Sequence, residues 1–286
     1  MGTDVGETLL EVENVGFRYN ARAPWLFKDL SFTLKSGDIL PILGPNARGK
    51  TTLLKNLAGM LEPAHGRIVA HAPIGYVPQD HGALTSYLVK DMVLMGRTRM
   101  LRAFQVPGRD DRRAATEAME RVGVADWADR EYSRLSGGQR QLVLIARAVA
   151  SQSRILILDE PASALDLRNQ SKVLDVLRQL AGDGLAIIMT THHPDHALHV
   201  SRNSLLFVSG EETRWGPTES LLSASMLSEV YGLPISVHGV ETRSGMRQVA
   251  VPDFGPSLRT TVPPSRTETQ PEAYEPGKHE LGEHAV

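Results

Sequence analysis

One eight-residue string limits the fold of this chain more than any other. It is Gly44-Pro45-Asn46-Ala47-Arg48-Gly49-Lys50-Thr51, which satisfies G-x-x-x-x-G-K-[ST]. Ile39 to Leu43, apolar at every position, precede it, and Leu53, Leu54, Leu57 and Ala58 follow on one helical face. Strand, glycine-bearing turn and helix form the context the motif needs. Successive backbone N–H groups in such a turn curl around phosphate oxygens, and the helix N-terminus adds a favourable dipole. Lys50 brings a point charge to β- and γ-phosphates, and the Thr51 hydroxyl is placed to ligate Mg²⁺. The competing reading is a strand-to-helix turn that binds nothing, and the flanking pattern weighs against it. Two residues depart from the pattern. Ala47 stands where many such loops carry glycine, at a cost on the order of 1 kcal/mol if its φ is positive. Pro41 cannot donate to a sheet ladder, which implies a local bulge in its strand.

Further apolar runs, Ile155 to Leu158 and Leu185 to Met189, suit strands of a parallel sheet covered on both faces. Leu142, Ile145, Ala146 and Val149, then Val173, Leu177 and Leu180, repeat at helical spacing between them. Strand and helix in alternation predict a doubly wound α/β core. Val15, Phe17 and Tyr19 alternate with polar or small residues, as in a half-exposed antiparallel strand. Residues 84–122 read as helical, within an inserted helical subdomain of about 80–152. From about residue 240, prolines crowd among Ser, Thr, Glu and Gly, so residues 240–286 are expected to be a disordered tail.

With 286 residues, 41 % of them hydrophobic, the chain can bury a real core. A net charge of −2 creates no global field for nucleic acid, and the absence of cysteine excludes disulfides and thiolate metal sites. The N-terminus lacks the basic start and apolar core of a signal peptide, and no apolar run approaches the roughly 20 residues that span a bilayer. If the protein moves something across a membrane, another chain forms the path.

The second half of a phosphate site is also legible. Ile155-Leu156-Ile157-Leu158 ends in Asp159-Glu160. Asp159 would hold Mg²⁺ directly or through water, and Glu160 can face the attacking water as general base or orienting group. Acidic residues cap many strands, so the string gains weight only from the phosphate loop before it. Leu135-Ser136-Gly137-Gly138-Gln139 opens a second helix with a hydroxyl and two glycines. Alone it is equally a helix start capped by Ser136. A single nucleotide does not need two phosphate-binding helix ends from one chain, whereas two chains facing each other do.

In this order the motifs resemble those of ABC-transporter ATP-binding subunits, over about residues 9–235. The resemblance implies a P-loop NTPase (RecA-like) α/β core with an antiparallel β subdomain and an inserted α-helical subdomain, together spanning 1–239. It implies that Tyr19 stacks on adenine. Gln79, in Gly75-Tyr76-Val77-Pro78-Gln79, looks like the Q-loop glutamine that touches Mg²⁺ or water. Ser163-Ala164-Leu165-Asp166 resembles the D-loop, which crosses the dimer interface, and His192 resembles the switch histidine that contacts the γ-phosphate. The implied ATP-binding set is Tyr19, Gly44, Pro45, Asn46, Ala47, Arg48, Gly49, Lys50, Thr51 and Thr52. Ser136, Gly137, Gly138, Gln139 and Asp166 complete it from the partner chain. Glu160, His192, Gln79 and Lys50 form the catalytic group, and Thr51, Gln79 and Asp159 the Mg²⁺ ligands. The implied partners are a second copy of the chain, separate membrane permease subunits and an extracytoplasmic substrate-binding protein, at the cytoplasmic face of the inner membrane, with no nucleic acid.

Val93-Leu94-Met95-Gly96-Arg97, Asn169-Gln170, Thr191-His192-His193-Pro194 and Tyr231-Gly232-Leu233-Pro234 look like the iron-siderophore, haem and cobalamin importer branch. Cargo is then an iron complex, with cobalamin or a molybdate-type oxyanion next. The rival is a non-transport ABC ATPase acting on ribosomes or nucleic acid. One nucleotide-binding module without heptad runs counts against it. A degenerate, binding-only module is opposed by intact Lys50, Asp159, Glu160 and His192. His192, His193, His196 and His199 are spaced closely enough to ligate a metal, but the switch role explains His192 without one. Arg97, Arg99, Arg102, Arg109, Arg112 and Arg113 read as a solvated face or a contact with a membrane partner. Trp25 and Phe27 could extend the adenine platform, although core packing suits them better.

Overall fold

A computed structural model describes residues 6–79, 86–102, 105–243 and 245–255. Two sheets and a helical layer carry the site. β1 (Thr8–Phe17) pairs antiparallel with β2 (Phe27–Lys35) and β4 (His65–Ala70), in the order β2-β1-β4. The larger sheet has the order β5-β6-β7-β3-β8-β9. Its strands are β3 (Ile39–Leu43), β5 (Ile74–Val77), β6 (Ile155–Leu158), β7 (Ala186–Thr190), β8 (Asn203–Phe207) and β9 (Thr213–Pro217). The first five strands in that order run parallel, and β9 closes the edge antiparallel to β8.

The all-apolar strands are explained by burial on both faces. Along β6, Leu156 and Leu158 join one core cluster, with Ile187, Leu142 and Leu177, while Ile155 and Ile157 join another, with Leu40, Leu53, Phe27 and Leu9. The second cluster welds the antiparallel sheet to α1 (Lys50–Leu57) and the underside of the parallel sheet. Phe27 is fully buried, stacked on Phe17 and edge-on to Phe207, so it belongs to the core and not to a nucleotide platform. Trp25 lies beneath the Arg18 guanidinium, 4.4 Å from ring centroid to Cζ.

The helical layer comprises α2 (Val89–Leu94), α3 (Arg109–Val122) and α4 (Gly137–Ala150), followed by α5 (Leu167–Gly182) and α6 (Pro194–Val200). Val89, Val93, Met119, Val122 and Ile145 pack together as its core. The start of the expected insert, residues 80–85, lies outside the described residues. The arginine stretch is not one solvated face. Arg97 is buried, pairs with Asp111 at 3.1 Å and donates to the Ala150 carbonyl at 3.0 Å, tying the segment after α2 to α3 and α4. Arg99 donates to the Ile74 carbonyl at the foot of β5.

Two expectations need correction. Pro41 causes no bulge, and β3 keeps an even register on β7, with Pro41 opposite Met189. The carbonyls of Asp38 and Ile42 accept from β7, so alternation turns the Pro41 nitrogen towards β8. The β3–β8 ladder begins only at Ile42 opposite Leu205, beyond the missing donor. The fold also continues past residue 239. α7 (Thr218–Leu221) and α8 (Ala224–Tyr231) lead to β10 (Ile235–Thr242), which forms an uninterrupted antiparallel hairpin with β11 (Gly245–Pro252). Ile235, Val237 and Ala250 pack against the cluster of Leu43, Ala197, Leu206 and Leu227, which gives residues 240–252 a core to bury into. Residues 256–286 of the expected tail lie outside the described residues.

Candidate active site

The loop between β3 and α1 contains three left-handed residues, Gly44 (φ 137), Ala47 (φ 60) and Gly49 (φ 97). Alternation of left- and right-handed residues turns successive N–H groups to one side, the geometry of an anion cradle. Gly44 is required twice over: its φ is positive, and a Cβ there would meet Phe207 Cβ at 2.8 Å. Ala47 adopts the conformation that favours glycine, so the conditional cost read from its identity is incurred. Lys50, only 6 % exposed, arches back over the loop and donates to the carbonyls of Gly44 (2.7 Å) and Pro45 (2.8 Å). Burial holds its amine below the usual lysine range, and the nearby carboxylates of Glu160 and Asp159 oppose that shift.

Beside the loop opens a cleft of about 460 Å³, lined by Tyr19, Leu26, Asn46, Ala47, Gly49, Lys50, Thr51, Thr52, Gln79 and Glu160. Tyr19 is 68 % exposed, braced edge-on by Phe17 with 5.2 Å between ring centroids, and its hydroxyl lies 3.3 Å from Thr52 Oγ1. An aromatic ring standing free at the mouth of a polar cleft can take a flat π-system. Gly44, Pro45 and Arg48 belong to the loop without lining the cleft.

The two carboxylates emerge from the buried end of β6. Asp159 is 5 % exposed; its N–H donates to the Val77 carbonyl, and its Oδ1 accepts from Thr190 Oγ1 at 2.6 Å. The same Thr190 oxygen accepts the Glu160 N–H at 2.8 Å. One fully buried hydroxyl at the end of β7 therefore fixes both acidic residues. Glu160 holds a positive φ of 48°, a conformation that needs such support. Its carboxylate accepts from Gln79 Nε2 at 3.3 Å and lies 3.8 Å from His192 Nδ1. Ser163 Oγ closes the turn by donating to the Glu160 carbonyl at 2.9 Å. Gln79 and His192, from two further loops, thus meet the Glu160 carboxylate; Gln79 and Glu160 line the cleft and His192 does not, and beside that carboxylate water can be oriented and a proton accepted. Thr190 lies in none of the sequence motifs that mark the site. Its signal was a hydroxyl ending the otherwise apolar run Ala186 to Met189.

Ser136, Gly137, Gly138 and Gln139 do not line the cleft. Ser136 caps α4 in a reciprocal box: the Gln139 N–H donates to Ser136 Oγ, and the Ser136 N–H to Gln139 Oε1. Gly138 is pressed against Asn169, whose Cγ would lie 2.6 Å from an added Cβ. Asp166 caps α5 by accepting the Asn169 backbone and side-chain N–H groups. The signature helix end and the turn bearing Asp166 are therefore packed together, with Gly137 exposed between them.

Thr51, Asp159 and Gln79 offer hard oxygen donors, the set suited to Mg²⁺. With the cradle, the buried lysine and the paired carboxylates, they define a P-loop nucleoside-triphosphatase. The comparisons with known proteins narrow this. The ABC transporter family pattern matches residues 27–163. The chain is 41 % identical over 227 residues to the molybdate import ATP-binding protein MolC of Haemophilus influenzae, covering 79 % of this chain and 89 % of that protein. It is 33 % identical over 248 residues to a probable iron chelatin transport ATP-binding protein of Helicobacter pylori, covering 79 % and 94 %. An ABC transporter solved in an inward-facing conformation, and described as of metal-chelate type, superposes with a TM-score of 0.82 at 38 % identity, covering 87 % of this chain and 98 % of that one. The chain belongs to the ABC transporter ATP-binding family and is an ABC transporter ATPase. Among the described residues, no helix is long and apolar enough to cross a membrane.

Proposed function

We propose that this chain is the ATP-hydrolysing subunit of an ABC importer, peripheral to the cytoplasmic face of the inner membrane. Two copies would bind two ATP molecules, each held between the phosphate loop of one copy and the Ser136–Gln139 helix end of the other. The observation that carries this reading is the division of the site. The phosphate loop, Gln79 and Glu160 share one cleft, whereas the second phosphate-binding helix end lies outside it with Gly137 exposed.

Tyr19 would stack on the adenine, and the loop N–H groups with Lys50 would take the phosphates. Thr51, Asp159 and Gln79 would hold Mg²⁺, which when bound neutralises charge on the phosphate oxygens. Glu160 orients the attacking water and accepts its proton. His192, whose Nδ1 lies 3.8 Å from the Glu160 carboxylate, would meet the terminal phosphate. Lys50 and the partner's helix end stabilise the charge that spreads over the equatorial oxygens. Release of phosphate then removes the groups that hold the two copies together, and the helical layer passes that opening to the permease subunits.

For the cargo we favour an iron complex such as a siderophore or haem, supported by the likeness to iron-chelate and metal-chelate transport proteins. A molybdate-type oxyanion is the second reading, favoured by the 41 % identity to a molybdate importer. A binding protein outside the membrane would deliver either cargo. The test is affinity capture of the tagged chain from its native membranes, with mass spectrometry of its partners. A stoichiometric polytopic membrane protein is expected. Ribosomal or DNA-repair partners without a membrane protein would overturn the transport reading while leaving the ATPase chemistry intact.

A further inference from the structure

Beside Glu160 runs a chain of buried and half-buried polar contacts that the hydrolytic scheme above does not use. Gln170, on the first turn of α5, donates from Nε2 to the Leu165 carbonyl at 3.1 Å. This turns its Oε1 towards His196 on α6, where Nε2 lies 3.4 Å away. The imidazole's other nitrogen, Nδ1, lies 3.2 Å from Thr191 Oγ1, and that oxygen also accepts the His193 N–H at 3.1 Å.

The directions of these bonds are fixed by chemistry. An amide oxygen only accepts, so His196 must carry its proton on Nε2. Burial keeps the ring neutral, pushing its pKa down to about 4, with lesser contributions from His193, His192 and His199. Its Nδ1 is then an acceptor and takes the Thr191 O–H. The opposite tautomer would require the Gln170 amide to flip, which sets its oxygen against the Leu165 carbonyl. A single arrangement satisfies every donor and acceptor: Thr191 to His196, His196 to Gln170, Gln170 to Leu165.

Each end of this chain lies at a functional segment. Leu165 precedes Asp166 and follows Ala164, whose φ of 56° marks a strained turn, and its side chain faces Gly137 at the signature helix end. Thr191 precedes His192. The rings of His192, His193 and His196 form a tilted stack, with centroids 4.0 and 4.7 Å apart. We propose that Gln170 and His196 are positioning residues, forming a strut that makes the Asp166 turn and the His192 turn shift together. A displacement at the face presented to the partner chain then reaches the histidine beside Glu160 in the same chain. This inference rests on the ATPase reading of the site.

The test uses the full chain in four variants: Gln170→Leu, His196→Phe, the double variant and Gln170→Glu. Phenylalanine keeps an aromatic ring in the stack while removing both nitrogens. Each single loss breaks the same series of bonds, so kcat for ATP hydrolysis is expected to fall roughly fivefold, the scale of one net hydrogen bond. KM for ATP stays within about twofold, because neither residue lines the cleft. The double variant falls no further than the worse single. Gln170→Glu can still accept from His196 but cannot donate to the Leu165 carbonyl, so it should lose as much as Gln170→Leu. Wild-type kcat in the single variants, effects that multiply in the double variant, or a fully active Gln170→Glu would each overturn the strut. If the wild-type chain hydrolyses no ATP, the failure belongs to the ATPase reading, and the strut is judged by imidazole nitrogen chemical shifts. Those are expected to show His196 protonated on Nε2; protonation on Nδ1 overturns it.

Discussion

Replacing Thr190 with valine removes one hydroxyl from the centre of the site and almost nothing else. The side chain is fully buried, and valine matches its volume. The hydroxyl donates to Asp159 Oδ1 at 2.6 Å and accepts the Glu160 N–H at 2.8 Å, so the substitution strands an acceptor and a donor in the interior. Each stranded group costs about 1–3 kcal/mol, which gives a combined loss of roughly 2–4 kcal/mol once partial relaxation is allowed. For a chain of this size that is a fall in Tm of roughly 4–16 °C, readable by calorimetry. The kinetic effect is separable. Glu160 sits at a φ of 48°, and its N–H is the anchor that holds it there. Loss of that anchor should lower kcat for phosphate release by about tenfold or more. Thr190→Ser keeps the hydroxyl and should recover most of the activity. A Thr190→Val chain with unchanged Tm would refute the energetic argument. One with lowered Tm but wild-type kcat would refute the positioning argument.

Ala47→Gly relieves the left-handed strain at φ 60 and sacrifices little packing, because the side chain is exposed. After the roughly 0.4–1 kcal/mol of entropy that a more flexible unfolded chain regains, a net gain of at most about 0.6 kcal/mol is left, so Tm should not fall and should rise by no more than about 2 °C. Gly138→Ala pushes a methyl into Asn169, which braces Asp166, so ATP turnover should fall at least tenfold while near-wild-type ATP affinity is kept in an equilibrium binding assay. Truncation after Gly239 cuts through β10 and removes Ala250 from its core, and should lower Tm measurably in a calorimetric scan.

Most of the site was legible because its residues sit in short strings whose context is local. The phosphate loop needs only the strand before it and the helix after it, and Asp159 with Glu160 needs only β6. What escaped depends on contacts distant in sequence. Thr190 acts on residues 30 and 31 positions away, which no local pattern announces. The harmlessness of Pro41 depends on which neighbour its nitrogen faces and where the β8 ladder begins, both set by strand order. The β10–β11 hairpin was hidden by the proline count beyond it. The alternation of Ile235 and Val237, with Gly245 at the turn, was a usable signal, but its stability comes from a cluster assembled by α6, β8 and α8.

The central claim, that two copies complete each nucleotide site, is tested most directly by sedimentation of Glu160→Gln with ATP. That variant keeps the cradle, Lys50 and the cap of α4 while removing the carboxylate proposed to accept the proton of the attacking water. The account predicts that the 31.3 kDa chain doubles in mass on adding ATP and stays dimeric, whereas the same variant carrying Lys50→Ala remains monomeric. A Glu160→Gln chain that stays monomeric with ATP, or that turns ATP over at the wild-type rate, would contradict it.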